Sequence, residues 1–231
     1  MPAFPASLHL LAILSLSVAL ACAVTIALDE WRHPPKIAVM ALVWPLTALF
    51  GSILWLAVYY RWGRATGENK KTPTAVSALK GASHCGAGCT LGDILAEGLA
   101  VASPAMATWF GYGTLVDTRM FALWVPDFLL AFLFGIAFQY WSIVPMRHLS
   151  PGAGIRAALK ADILSIAAWQ VGMYGGMALI QFGWFQPAYG GLAEATQPEF
   201  WLAMQIAMLA GFCTSYPVNW LLVRSGVKEA M

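Results

Sequence analysis

The sequence predicts an all-α protein, a six-helix transmembrane bundle, and three observations carry that prediction. Of 231 residues, 60% are hydrophobic and only 10% are charged; a soluble domain has about 25% charged residues, so most of this chain faces something other than water. Apolar runs recur at roughly 6–28, 37–60, 91–116, 121–145, 160–185 and 200–223, each long enough as a helix to cross the ~30 Å of bilayer hydrocarbon. The polar stretches between them are short, which leaves one integral membrane domain over residues 1–231, in contact with the lipid bilayer.

The first span has Ser7, His9, Ser15, Ser17 and Thr25 as polar features and reads as packing or lipid-facing surface. Ala21-Cys22-Ala23 resembles a signal cleavage site, but no Lys or Arg precedes it and the apolar run is long for a signal peptide. Pro34-Pro35 sets the start of the second span, Trp44-Pro45 marks a kink, and Tyr59-Tyr60-Arg61-Trp62 supplies the aromatic and basic belt of an interface. Residues 63–80 are the longest polar segment and read as a cytoplasmic linker.

Spans 3 to 6 contain an internal similarity. Pro126-Asp127-Phe128 opens the fourth span as Pro198-Glu199-Phe200 opens the sixth, each with a second proline further on (Pro145, Pro217), and Asp93-Ile94-Leu95 answers Asp162-Ile163-Leu164. Two hairpins, spans 3–4 and 5–6, inserted in one direction would make a parallel repeat; chance convergence of Pro-acid helix starts is the alternative. Asp127 and Glu199 read as first-turn acids that complement a helix dipole.

Charge gives an orientation. Ten Lys and Arg follow the even spans or the last one, and three, Arg32, Lys36 and Arg119, fall on the other side. The positive-inside rule then places both termini at the cytoplasmic face of the inner membrane. A net charge of +2 without a basic stripe argues against nucleic acid as a partner.

The chemistry concentrates in Gly81 to Glu97, GASHCGAGCTLGDILAE, which holds His84, Cys85, Cys89, Asp93 and Glu97. On a continuous helix Cys85, Cys89, Asp93 and Glu97 climb one slowly rotating stripe and His84 points about 100° from Cys85. If the helix starts instead at Thr90, the Cys-Gly-Ala-Gly-Cys segment is a loop leading into a helix N-terminus that favours thiolate. His-Cys-x3-Cys beside two acids suits a soft or borderline metal ion, copper or zinc. Asp162 and Asn219, with the methionines Met173, Met204 and Met208, continue a polar pathway; salt bridges to Arg147, Arg156, Lys160 or Arg224, and Met as core filler, are the bland alternatives. All four histidines lie near expected span ends, so no b-type haem is expected; no P-loop is present, so neither a nucleotide nor ATP-driven transport is expected, and without HExxH or GxSxG proteolysis by those routes is not supported.

His84-Cys85-Gly86-Ala87-Gly88-Cys89-Thr90-Leu91-Gly92-Asp93-Ile94, Ala158-Leu159-Lys160-Ala161-Asp162, Trp169-Gln170-Val171-Gly172-Met173-Tyr174-Gly175, Thr214-Ser215-Tyr216-Pro217-Val218-Asn219-Trp220 and Gly226-Val227-Lys228-Glu229 resemble prokaryotic membrane proteins of domain-of-unknown-function family 4396. The resemblance covers most of residues 37–231 and implies a multi-helix membrane protein, with no activity attached. The leading reading of the residues is a membrane protein that binds copper or zinc through His84, Cys85 and Cys89 for transport or homeostasis, with the acids as the next coordination step or a proton path. A thiol redox protein using Cys85 and Cys89, and a structural or assembly subunit, are the alternatives; enzymatic activity and assembly into a homo-oligomer are left open.

Overall fold

The computed structural model describes residues 2–65 and 72–228. It is all-helical, as expected: α1 (Ala6–Arg32), α2 (Met40–Val58, continued by a π-helical turn Tyr59–Gly63), α3 (Thr74–Ala102), the single turn α4 (Met106–Trp109), α5 (Arg119–Arg147), α6 (Pro151–Ile180, with a π-helical turn to Phe185), the short α7 (Gln186–Tyr189) and α8 (Pro198–Arg224). Six of these segments are long and apolar enough to cross a membrane. The third corrects the expected bounds. It runs Thr74–Ala102 rather than 91–116, so the described part of the expected linker from Thr74 to Lys80 is helix, and the His-Cys-x3-Cys stretch lies inside the span and not in a loop before it.

Small residues explain why α3 takes the centre. From Gly81 to Thr90 every residue is buried, so this helix has no lipid face there. A Cβ on Gly88 would stand 2.7 Å from the Gly135 nitrogen of α5, and one on Gly92 would stand 2.5 Å from the Ala131 nitrogen. Backbone therefore meets backbone, the small-residue packing on which membrane helices rely. The same pairs show that α3 and α5 run antiparallel. Tyr174 reaching the Trp124 carbonyl (3.0 Å) and Thr214 reaching the Ala168 carbonyl (2.7 Å) continue the bundle through α6 to α8.

α2 departs from a simple span. Trp44 and Gly63 would lie about 28 Å apart on a straight helix at 1.5 Å per residue. Here the Trp44 and Tyr59 rings are 6.0 Å apart, and a Cβ on Gly63 would be 2.6 Å from Trp44. The chain reverses at Ser52, whose φ of 49° and ψ of −132° lie outside the helical region, in a conformation that suits the tight-turn corner usually given to glycine. The kink is thus at Ser52 rather than at Pro45, and α2 is a helical hairpin whose arms start and finish at the same end of the bundle. Tyr59 and Arg64 close that end by bonding Asp29 of α1 (2.8 and 2.9 Å).

The hairpin reassigns the ends. α1 runs parallel to α8, since His9 meets Glu199 and Ser15 meets Gln205 at the same sequence offset. Residues 3 and 4 pack on Tyr189 beyond α6, at the opposite end from the finish of α8. The start of α1 and the finish of α8 therefore lie at opposite ends of the bundle. Of the described Lys and Arg residues, Arg32, Lys36, Arg61, Arg64, Lys80, Arg147, Arg156, Lys160, Arg224 and Lys228 belong to the end where α3 and α6 start; only Arg119 belongs to the other. The first is the basic end. Single cysteines at Lys36 and Ser150, both exposed at the basic end, are expected to react with a membrane-impermeant thiol reagent from the same side, and one at Asp117 from the other.

Two hairpins, α3–α5 and α6–α8, do form, but the acid pair that suggested a repeat does not superpose in depth. Asp93 is 19 residues into α3 whereas Asp162 is 11 residues into α6, level with Cys85. Pro126 is inside α5 and not at its start, so Asp127 is a core residue; Glu199 is in the first turn of α8, where His9 bonds it at 2.7 Å.

Candidate functional site

Two buried polar layers lie along α3. The first is about eleven residues, or ~16 Å, in from the basic end, where α3, α6 and α8 meet. The Asp162 Oδ1 accepts from Lys228 Nζ at 3.1 Å and from the Cys85 thiol at 3.0 Å. Lys228 Nζ also donates to Asn219 Oδ1 at 2.7 Å and to the Gly81 carbonyl at 3.2 Å, with Cys85 Sγ at 3.7 Å. Ser165 joins the layer through Cys85 Sγ (2.7 Å), Ser215 Oγ (3.2 Å) and the Asn219 amide. Both charged side chains are 0% exposed.

Lys228 reaches this depth because α8 ends in a reversal. Gly226 has φ of +70°, the left-handed conformation that favours glycine after a helix C-terminus. The Val227 and Lys228 amides both donate back to the Leu222 carbonyl at 3.0 Å, so the lysine stem runs inward along the helix instead of out to water. Gly81 makes room for it: a Cβ there would be 2.9 Å from Asn219 Oδ1 and 3.2 Å from Lys228 Cε. Burial works against the ammonium, and the Cys85 sulfur and the Asp162 carboxylate outweigh it, holding Lys228 above its ordinary pKa.

The second layer is eight residues, or ~12 Å, further along α3. Asp93 (1% exposed) and Glu97 (4%) stand on α3 and Asp127 (1%) on α5, close enough for the charge of Asp127 to feel both others. Arg119 lies within electrostatic reach of Glu97. Neither Asp93 oxygen, nor Asp127 Oδ1, nor the Gln170 amide has a hydrogen-bond partner among the described residues. Between the layers Cys89 is fully buried in the apolar core. The α3–α5 register set by Gly88 and Gly135 brings Gln139 level with His84, and both are fully buried with no polar side-chain atom partnered among the described residues.

Of the expected site residues, the structure joins Cys85, Asp162 and Asn219 in the first layer and Asp93 with Glu97 in the second. It does not gather His84, Cys85 and Cys89: among the described residues no three His, Cys, Asp or Glu side chains form a group able to hold a metal ion. His84 is ten residues into α3 rather than near a span end. Met173, Met204 and Met208 belong to the main apolar cluster with Trp169, and all four cysteines are free. Asp162 pairs with Lys228, which lies outside the set of basic residues expected for it. Lys228, Ser165 and Ser215 are the additions; for Lys228 the available signal was Gly226, two residues before it.

A family model described as Domain of unknown function (DUF4396) matches residues 75–228, two thirds of the chain. The chain belongs to the DUF4396 family. The match begins one residue into α3 and ends at Lys228, so the DUF4396 portion holds both polar layers and leaves out α1 and the hairpin α2. No curated protein and no solved structure matches.

Proposed function

We propose that this DUF4396 protein passes a small cation, in its simplest form the proton, through the α3–α5–α6–α8 core. The observation that carries the reading is the pair of polar layers, buried ~12 Å apart on one helix, with carboxylate oxygens that lack partners among the described residues. An unpaired carboxylate at mid-membrane costs about 2.5–3.5 kcal/mol on the insertion scale, so acids kept there need a proton or a cation. The basic layer offers a relay from Lys228 and Asp162 through the Cys85 thiol; the acidic layer of Asp93, Glu97 and Asp127 faces the other end. Ten of eleven described basic residues at one end support a cytoplasmic location for that end under the positive-inside rule. The test is flux: purified protein in sealed liposomes under an imposed potential should acidify or alkalinise the lumen faster than protein-free vesicles, and equal rates would remove the reading.

Transition-metal cargo is the second reading, favoured by two fully buried cysteines one turn apart and by the unpartnered His84 ring. It needs a rearrangement, because the Lys228 ammonium stands 3.7 Å from Cys85 Sγ. Copper and zinc content of the same preparation, unchanged by Cys85→Ser/Cys89→Ser, would discard it.

A further inference from the structure

The head of Lys228 is held by three oxygens from three different sources: the Asn219 amide on α8, the Asp162 carboxylate on α6 and the Gly81 backbone carbonyl on α3. An alkylammonium has three N–H donors and no acceptor, one for each of these oxygens, and Cys85 Sγ stands beyond them at 3.7 Å. The remaining Asp162 oxygen, Oδ2, has no hydrogen-bond partner among the described residues although the side chain is 0% exposed. A buried ion pair is a poor source of stability by itself, since desolvating each charge costs several kcal/mol. This one is also assembled in an unusual way. The cation comes from the turn after α8, four residues past the helix end, and not from a packed helix face.

We propose that Gly81, Asp162 and Asn219 form a binding site for a free ammonium-type cation, ammonium or a small primary amine, and that Lys228 occupies it as a tethered stand-in. The turn Ser225–Lys228 is then a built-in plug. Its attachment to the bundle includes the two hydrogen bonds from its backbone amides to the Leu222 carbonyl and the lysine head itself, so withdrawing it opens the site toward the basic end and leaves the two side-chain acceptors and the Gly81 carbonyl in place. Cys85 and Ser165 line the same space, with the Cys85 thiol donating to the carboxylate that would receive the cation. The cargo assignment rests on the translocation reading above; the binding site does not.

The experiment is chemical rescue, read as thermal unfolding of the full chain in detergent. In Lys228→Ala, ammonium or propylammonium chloride is expected to raise Tm by at least about 3 °C at saturating concentration. Choline chloride, which has no N–H donor, and potassium chloride at equal ionic strength are expected to raise it far less, the wild type to respond to none, and Lys228→Ala/Asp162→Asn to lose the response. If Lys228→Ala does not fold, Lys228→Met, which keeps the apolar stem, is tested with ammonium in the same way. Equal responses to ammonium, potassium and choline, or none to ammonium in either variant, would overturn the site. Rescue in detergent without any flux in liposomes keeps the site and removes the transport reading; flux without rescue does the reverse.

Discussion

Asp162→Ala is expected to destabilise the protein by about 3–5 kcal/mol, the cost of leaving a buried charge without its partner. The side chain supplies a carboxylate against Lys228 and also accepts from Cys85, so its removal leaves the ammonium, among the described residues, with Asn219, Gly81 and a thiol around it. Lys228→Met/Asp162→Leu should recover most of the loss, because replacing both charges by apolar groups of similar volume is often neutral. The pair also sets a pH dependence. The folded pKa of Lys228 lies above its ordinary value, so the stabilisation is full below the ordinary lysine pKa of about 10.4. It is lost as pH rises through the higher folded value. Denaturation midpoints from neutral to strongly alkaline pH should fall in the wild type and stay flatter in the double variant; parallel curves would show that the pair contributes nothing.

Gly92→Leu should have the other large effect. Even a Cβ at Gly92 would sit 2.5 Å from the Ala131 nitrogen, and the neighbours of Gly88 are the backbone of Gly135 and the Ala131 carbonyl. Backbone cannot rotate aside as a side chain can. Overpacking in a well-filled core costs about 1–3 kcal/mol, and more where nothing yields; here it would also push α5 and Asp127 away from Asp93. Gly98→Leu is the control, since a Cβ at Gly98 meets nothing within 4 Å. Thermal unfolding of the two variants in one detergent should separate them clearly, and equal midpoints would contradict the close α3–α5 contact.

What the sequence made legible follows from the bilayer as solvent. Hydropathy finds apolar helices because every backbone polar group must be satisfied internally, and it found six segments here. It cannot see a reversal inside one of them: Gly51-Ser52 carries no proline and little polarity, and both arms of α2 are as apolar as a full span. Reading α2 as a crossing sets Arg32 and Lys36 at the opposite end of the bundle from Arg64, whereas Arg64 bonds Asp29 close to them in the chain. For α3 the same measure slid too far along the chain, since Gly81 to Cys89 is made of small and polar residues that hydropathy scores low but that a helix buried on all sides requires.

The site was legible in part for a related reason. Cys85, Asp93, Glu97, Asp162 and Asn219 were conspicuous because polar groups inside an apolar span need an explanation. Their grouping was not legible, because the four-residue spacing of Cys85, Cys89, Asp93 and Glu97 describes one helix and says nothing of which neighbour each turn meets. Cys85 meets α6 and Asp93 lies toward α5, so a stripe that read as one ligand set divides into two layers. Lys228 was hidden by its position after the last span, where a lysine ordinarily points to the interface; the left-handed Gly226 turns it back.

The cation route is tested most directly by comparing flux in sealed liposomes for Asp93→Asn, Asp162→Asn and Asp117→Asn, each checked for folding and orientation. Asp117 is exposed in the loop before α5, away from both layers. If the buried carboxylates carry the cation, Asp93→Asn and Asp162→Asn lower the protein-dependent rate at least about tenfold, a barrier increase of only ~1.4 kcal/mol, while Asp117→Asn keeps it. Wild-type rates in a folded Asp93→Asn protein would contradict a path through the core.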